Sequence, residues 1–179
     1  MSRRTASARG RTAYRVQVSL MLACVVGLLA CAPSLNWREV HLGRLATLLP
    51  CKPDSGSRTV ELAGQTVSMD MQGCEAAGAL YAISRVQAKD PEQAFALLGA
   101  LRQASLANVR MTAVQPMADS GDARSSLDIQ ADGQGPGGAP LQARFKWLLA
   151  GAEVYQIAVY AEHLGQEQTE SLIREARLQ

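Results

Sequence analysis

Leu141-Gln142-Ala143-Arg144-Phe145-Lys146-Trp147-Leu148-Leu149-Ala150-Gly151, running on into Glu153-Val154-Tyr155-Gln156-Ile157-Ala158-Val159-Tyr160-Ala161, decides the fold. Leu141, Ala143, Phe145, Trp147 and Leu149 alternate with Gln142, Arg144 and Lys146, the period of two that belongs to a half-buried strand. Ala150-Gly151 is a turn signal, and beyond it Tyr155, Ile157 and Val159 fall on one face while Gln156 and Tyr160 fall on the other. Two such strands joined by so short a turn pair antiparallel.

Upstream, the same logic continues. Leu45 to Leu49 is an apolar strand stopped by Pro50, preceded by Trp37 to Leu42 as a short strand or lead-in segment. Pro53 to Ser57 reads as a turn cluster. Thr59 to Leu62 and Gln65 to Gly73 flank Ala63-Gly64 as a hairpin, with Val67, Met69 and Met71 on one side and Ser68, Asp70 and Gln72 on the other. Leu80 to Val86, Val109 to Gln115 and Arg124 to Asp132 are further strands. Asp90-Pro91-Glu92-Gln93 opens a helix: Asp90 caps, Pro91 takes the first position and Gln93 completes a capping box. Its predicted inward stripe is Phe95, Leu98, Leu101, Ala104 and Leu106, with Arg102 and Gln103 outward, ending near Asn108. Gln166 to Arg177 closes the chain as a second helix with Leu172, Ile173 and Ala176 inward. The predicted class is α+β, a largely antiparallel sheet packed with two main helices over residues 45–179.

Chemistry-bearing motifs are few. Gly133-Gln134-Gly135-Pro136-Gly137-Gly138 invites a phosphate-loop reading, but a phosphate cradle needs a helix after it and a strand follows instead. These glycines are therefore expected to form a hairpin loop. His41 and His163 stand far apart, with no metal-ligand spacing, and no G-x-S-x-G elbow occurs. Glu61, Asp70 and Asp128 are expected outward and solvated rather than as an acid/base pair. Tyr155 and Trp147 read as sheet core. No catalytic, cofactor-binding or metal-ligating residue is assigned.

The N-terminal segment carries the address. Arg3, Arg4, Arg9, Arg11 and Arg15 occur without an acid before the apolar run Val16 to Ala30. A 15-residue helix would rise about 22 Å, short of a ~30 Å hydrocarbon core, so the run reads as a signal peptide over residues 1–30. Leu28-Leu29-Ala30-Cys31 resembles a bacterial lipobox, which implies acylation of Cys31 and a tether over residues 31–44. Ala32 in second place implies sorting to the outer membrane. Ala30-Cys31-Ala32 also fits ordinary secretion, although Pro33 disfavours that cut, and an uncleaved membrane helix is the third reading. Removing the five leader arginines from 18 basic residues leaves 13 against 16 acidic ones, a net charge of −3. A nucleic-acid reading thereby loses its main support, because phosphate binding needs a clustered positive patch. Once Cys24 is lost with the leader and Cys31 is acylated, Cys51 and Cys74 remain, and two thiols in an oxidising compartment are expected to pair. A metal site with His41 or a redox pair is the alternative, against which stands the missing C-x-x-C spacing.

Several signposts form a set: Leu48-Leu49-Pro50-Cys51-Lys52-Pro53, Val60-Glu61-Leu62-Ala63-Gly64, Gly78-Ala79-Leu80-Tyr81-Ala82-Ile83, the helix opened by Asp90-Pro91, and Arg144 to Gly151 leading to Val154-Tyr155-Gln156-Ile157. Together, over Leu45 to Leu178, they resemble the PsbP-like α-β-α sandwich proteins. The photosystem members assist assembly of a membrane complex, so the resemblance implies a non-enzymatic binding or assembly role and transfers no catalytic residue. The expected partners are the membrane, through the lipid, and an envelope protein near its surface, since Ala32 to Asn36 reach only about 20 Å. A periplasmic enzyme or small-ligand carrier with a pocket between sheet and helix is the competing expectation. Intact mass of the membrane-extracted protein checks the leader: loss of residues 1–30 with added acyl mass is expected, and a chain still starting at Met1 refutes it.

Overall fold

Strand-period alternation produces a seven-stranded antiparallel sheet. The computed structural model describes residues 35–117 and 126–179; the leader, Cys31 and Arg124 lie outside them. In chain order the elements are β1 (Arg38–Leu42), β2 (Leu45–Leu49), β3 (Asp54–Leu62), β4 (Gln65–Ala76), β5 (Ala79–Gln87), α1 (Pro91–Asn108), β6 (Ala113–Pro116), β7 (Ser126–Gln134), β8 (Pro140–Ala150), β9 (Glu153–Ala161), α2 (Gln166–Arg174) and β10 (Arg177–Leu178). The large sheet runs β3-β4-β5-β9-β8-β7-β6, and β1-β2-β10 form a small second sheet. β8 and β9 pair with Phe145 opposite Ala158 and Trp147 opposite Gln156, while Ile83 of β5 faces Ile157 on β9's other side. The class is α+β. No helix among the described residues is long and apolar enough to cross a membrane.

β9 is covered on both faces. Val154 and Ala158 join Phe145, Trp147 and Val86 beneath Ala94, Leu97, Leu98 and Leu101 of α1. Tyr155, Ile157 and Val159 join Tyr81 and Ile83 beneath Leu45 and Leu49 of the small sheet and Leu172 and Ile173 of α2. Fully burying an aliphatic or aromatic side chain is worth about 1.5–3 kcal/mol, so the two cores supply most of the driving force. Thr47 Oγ1 donates to the Leu172 carbonyl at 2.7 Å, tying α2 to β2.

Several elements depart from expectation. Residues 54–57 are not a turn, because they extend β3 along β4, with Asp54 opposite Gly73; backbone pairing overrides local turn propensity. The buried stripe of α1 is Ala94, Leu97, Leu98, Leu101 and Ser105, leaving Phe95 at 61% exposure. That stripe keeps the i, i+3, i+4, i+7 pattern with its start one residue earlier, which turns Phe95 outward. Val109 is buried and caps α1, and Arg110 follows with φ 41°, so β6 begins only at Ala113. The second helix ends at Arg174, since Arg177 and Leu178 pair instead with Ala46 and Leu45. Gly133 belongs to β7, where a Cβ would stand 2.0 Å from the Val109 carbonyl oxygen. The glycine loop thereby contracts to a single turn around Pro136–Gly138.

Two devices hold the small sheet to the large one. Cys51 and Cys74 form a disulfide with 6.0 Å between Cα atoms across 23 residues of chain. At the β1–β2 corner the Tyr155 hydroxyl accepts the Arg44 backbone N–H at 2.9 Å. Gly43 turns that corner at φ +56°, with room for no Cβ because Arg85 Nη1 and Tyr155 Oη would each lie 2.7 Å away. The double variant Cys51→Ser/Cys74→Ser is expected to lose about 3 kcal/mol, from the loop-closure entropy returned to the unfolded chain. Urea denaturation measures it, and an unchanged midpoint would contradict the assignment.

Candidate functional site

The site is set by where α1 lies and by what is missing beneath it. Asp90 Oδ1 accepts the Gln93 backbone N–H at 2.7 Å, and Gln93 Oε1 accepts the Lys89 backbone N–H at 2.6 Å. Gln93 also donates to Gln65 at the start of β4, which pins the helix start over that end of the sheet. Leu97, Leu98 and Leu101 then press α1 onto the β8–β9 face. Toward β3, β4 and β5 the floor falls away, because the residues there include the small Ala82 and Ser84. Under the side of α1 bearing Leu101, Ala104 and Ser105, a cleft of about 880 Å³ remains open between helix and sheet. Its walls are chiefly apolar, with Val60, Leu62, Met69, Met71, Leu80 and Leu141 among them.

A small polar group sits at one end of this floor. Gln156 Oε1 accepts Ser105 Oγ at 2.6 Å and Trp147 Nε1 at 2.8 Å. Both acceptor positions of the amide oxygen are thus filled, which fixes the amide orientation and leaves the two N–H donors of Nε2. Ser84 faces Gln156 directly across the β5–β9 pairing and is 4% exposed, yet lines the cleft. Neither Ser84 Oγ nor Gln156 Nε2 has a hydrogen-bond partner among the described residues. Tyr160 lines the same wall, packed edge-on to Phe145 with ring centroids 5.5 Å apart. Burial pushes its hydroxyl up to about 12. The charged lining residues are Arg58, Glu61, Glu75 and Glu162.

Chemically, this arrangement can bind. The described lining holds no histidine, cysteine or lysine, and among the described residues no three His, Cys, Asp or Glu side chains are grouped to hold a metal. His41 stands 3.0 Å from Glu39 and His163 stands 3.9 Å from Glu162, both histidines well exposed.

The acids expected outward divide. Glu61 is exposed and accepts from Thr66. Asp128 is instead buried, held by Arg144 through Nε at 3.0 Å and Nη2 at 2.8 Å. Gln130 is the register partner of Arg144, so the pair is diagonal across β7–β8, a geometry that nearest-neighbour alternation misses. Asp70 is partly buried and bonds Arg85 at 2.7 Å. Its carboxyl is held below the usual carboxylate range by hydrogen bonds from Ser57 and then Arg85. Arg102, expected outward, lies over the Trp147 ring at 5.7 Å, with Nε and Nη2 buried and unpartnered. Trp147 and Tyr155 are fully buried, as core residues. Sequence reasoning missed Gln156, Ser84 and Ser105 as a group. The signal was present in each case as one polar residue inside an apolar run.

No family model matches the chain, and no curated protein matches it. Among solved structures, the extracellular domain of PknH from Mycobacterium tuberculosis is similar over 59% of this chain and 59% of that chain, with a TM-score of 0.35 and 7% identity. A likeness of that size carries no argument about fold or function.

Removing the central acceptor tests the polar group. Gln156→Leu strands the Trp147 N–H and the Ser105 hydroxyl, and is expected to cost about 1–3 kcal/mol. The check is the shift in urea midpoint; none would mean the amide contributes no net stability.

Proposed function

We propose that this protein is an exported, lipid-anchored, non-enzymatic binding protein of the cell envelope, built on a PsbP-like α-β-α sandwich, whose cleft between sheet and α1 takes an apolar ligand. One observation carries the reading: an opening of about 880 Å³ with apolar walls lies between helix and sheet where a closed core would otherwise be. That volume lies within the usual range of small-molecule sites, and apolar walls with a few convergent polar groups are their usual composition. Leu80 stands at the cleft with 43% exposure.

The cellular part of the proposal rests on the lipobox-like Leu28-Leu29-Ala30-Cys31 and on the Cys51–Cys74 disulfide, which is compatible with an oxidising compartment. The layer arrangement, with α1 on one face of the large sheet and α2 with the small sheet on the other, agrees with the PsbP-like resemblance. Envelope proteins near the membrane surface are the partners to which such a carrier would present its ligand.

Fluorescence titration with N-phenyl-1-naphthylamine, an uncharged apolar dye, tests the reading. Saturable one-to-one binding is expected. Ala82→Phe, which fills the floor, and Leu80→Lys, which places a charge at an exposed wall position, should each weaken it by about tenfold or more, equivalent to 1.4 kcal/mol. A correctly folded chain that binds no dye, or binds it equally well in both variants, overturns the proposal.

A further inference from the structure

Resting on the ligand-binding reading above, we infer that the cleft is selective for a single-chain amphiphile with an uncharged ester or amide head, and against the corresponding carboxylate. The floor supplies the first argument. Gln156 Oε1 is saturated by Ser105 and Trp147, so the amide turns only donors toward a ligand, and Ser84 Oγ stands opposite it. Two N–H donors and a hydroxyl match a carbonyl or ether oxygen. A carboxylate placed there would be stripped of water without a cation to compensate, because no lysine or arginine lines that end of the cleft. Arg102 lies over the Trp147 ring at 5.7 Å and is absent from the lining.

The remaining charges argue the same way. Two acids, Glu75 and Glu162, line the cleft on the α1 side, so an anionic head turned instead toward the Glu162 end meets repulsion there, while Glu61, bonded by Thr66, lies on the opposite face of β3. His163, beside Glu162 at 3.9 Å, is highly exposed. Length supplies the third argument. Gln156 and Glu162 are six residues apart along β9 and onward, a span of about 20 Å at strand rise, which suits one extended chain lying along the strands.

The test uses two probes that share a chain and differ in the head: radiolabelled 1-monooleoylglycerol and oleate, each titrated against the full-length protein at pH 8, where oleate is ionised. The ester is expected to bind about tenfold tighter or better. Gln156→Glu keeps an acceptor for Ser105 and Trp147 but exchanges the amide donors for oxygen, and should erode the preference for the ester. Glu75→Gln/Glu162→Gln should raise oleate binding several-fold. Circular dichroism and the intact disulfide serve as folding controls, and either variant alone suffices should the other misfold. Oleate binding as tightly as the ester overturns this inference while leaving the apolar cleft intact. Binding of neither probe, with the naphthylamine dye still bound, also overturns it. Failure of all three ligands overturns the binding reading itself.

Discussion

The structure depends on one strand being buried on both faces. β9 carries Tyr155, Ile157 and Val159 into one core and Val154 and Ala158 into the other, between β5 and β8 at the centre of the large sheet. A strand in that position has no face to give to water, so layers must form on both sides. α1 supplies one. The other needs more surface than the nine residues of α2 provide, and the small sheet β1-β2-β10 completes it. Tyr155 links the two levels, its ring in the core and its hydroxyl on the β1–β2 corner. Burial raises that hydroxyl above its ordinary pKa.

The cleft follows from a mismatch between helix and sheet. α1 has 18 residues, about 27 Å of length, and its aliphatic side chains cover β8 and β9. Seven strands are wider than one helix, since neighbours lie about 4.8 Å apart. The cleft opens over β3, β4 and β5. Large side chains there would have closed the gap, whereas Ala82 and Ser84 leave it open, with Met69 and Met71 as adaptable walls.

Much of this was legible in the sequence. Alternation gave the β8–β9 hairpin and the two sides of β4, and Asp90-Pro91-Glu92-Gln93 gave the start of α1 to the residue. What was illegible depended on partners distant in the chain. Residues 54–57 carry turn-forming types but are recruited by β4, and Arg177–Leu178 continue a helical pattern but are claimed by β2. The polar group failed for a related reason. Ser84, Ser105 and Gln156 each look like a tolerated exception on their own element, and they gain meaning only once β5 pairs with β9 and α1 crosses above.

Leu35 and Trp37 pack into the core beneath the small sheet, with Trp37 edge-on to Tyr81 at 6.2 Å, on the opposite side of the large sheet from α1. Any tension arriving through Leu35 is therefore received by β1 and β2, and Cys51 passes it covalently to Cys74 in β4. The load path runs through the back of the domain. A pull on the N-terminal side is borne by strand ladder and covalent bond, and the helix that roofs the cleft stays outside the line of force.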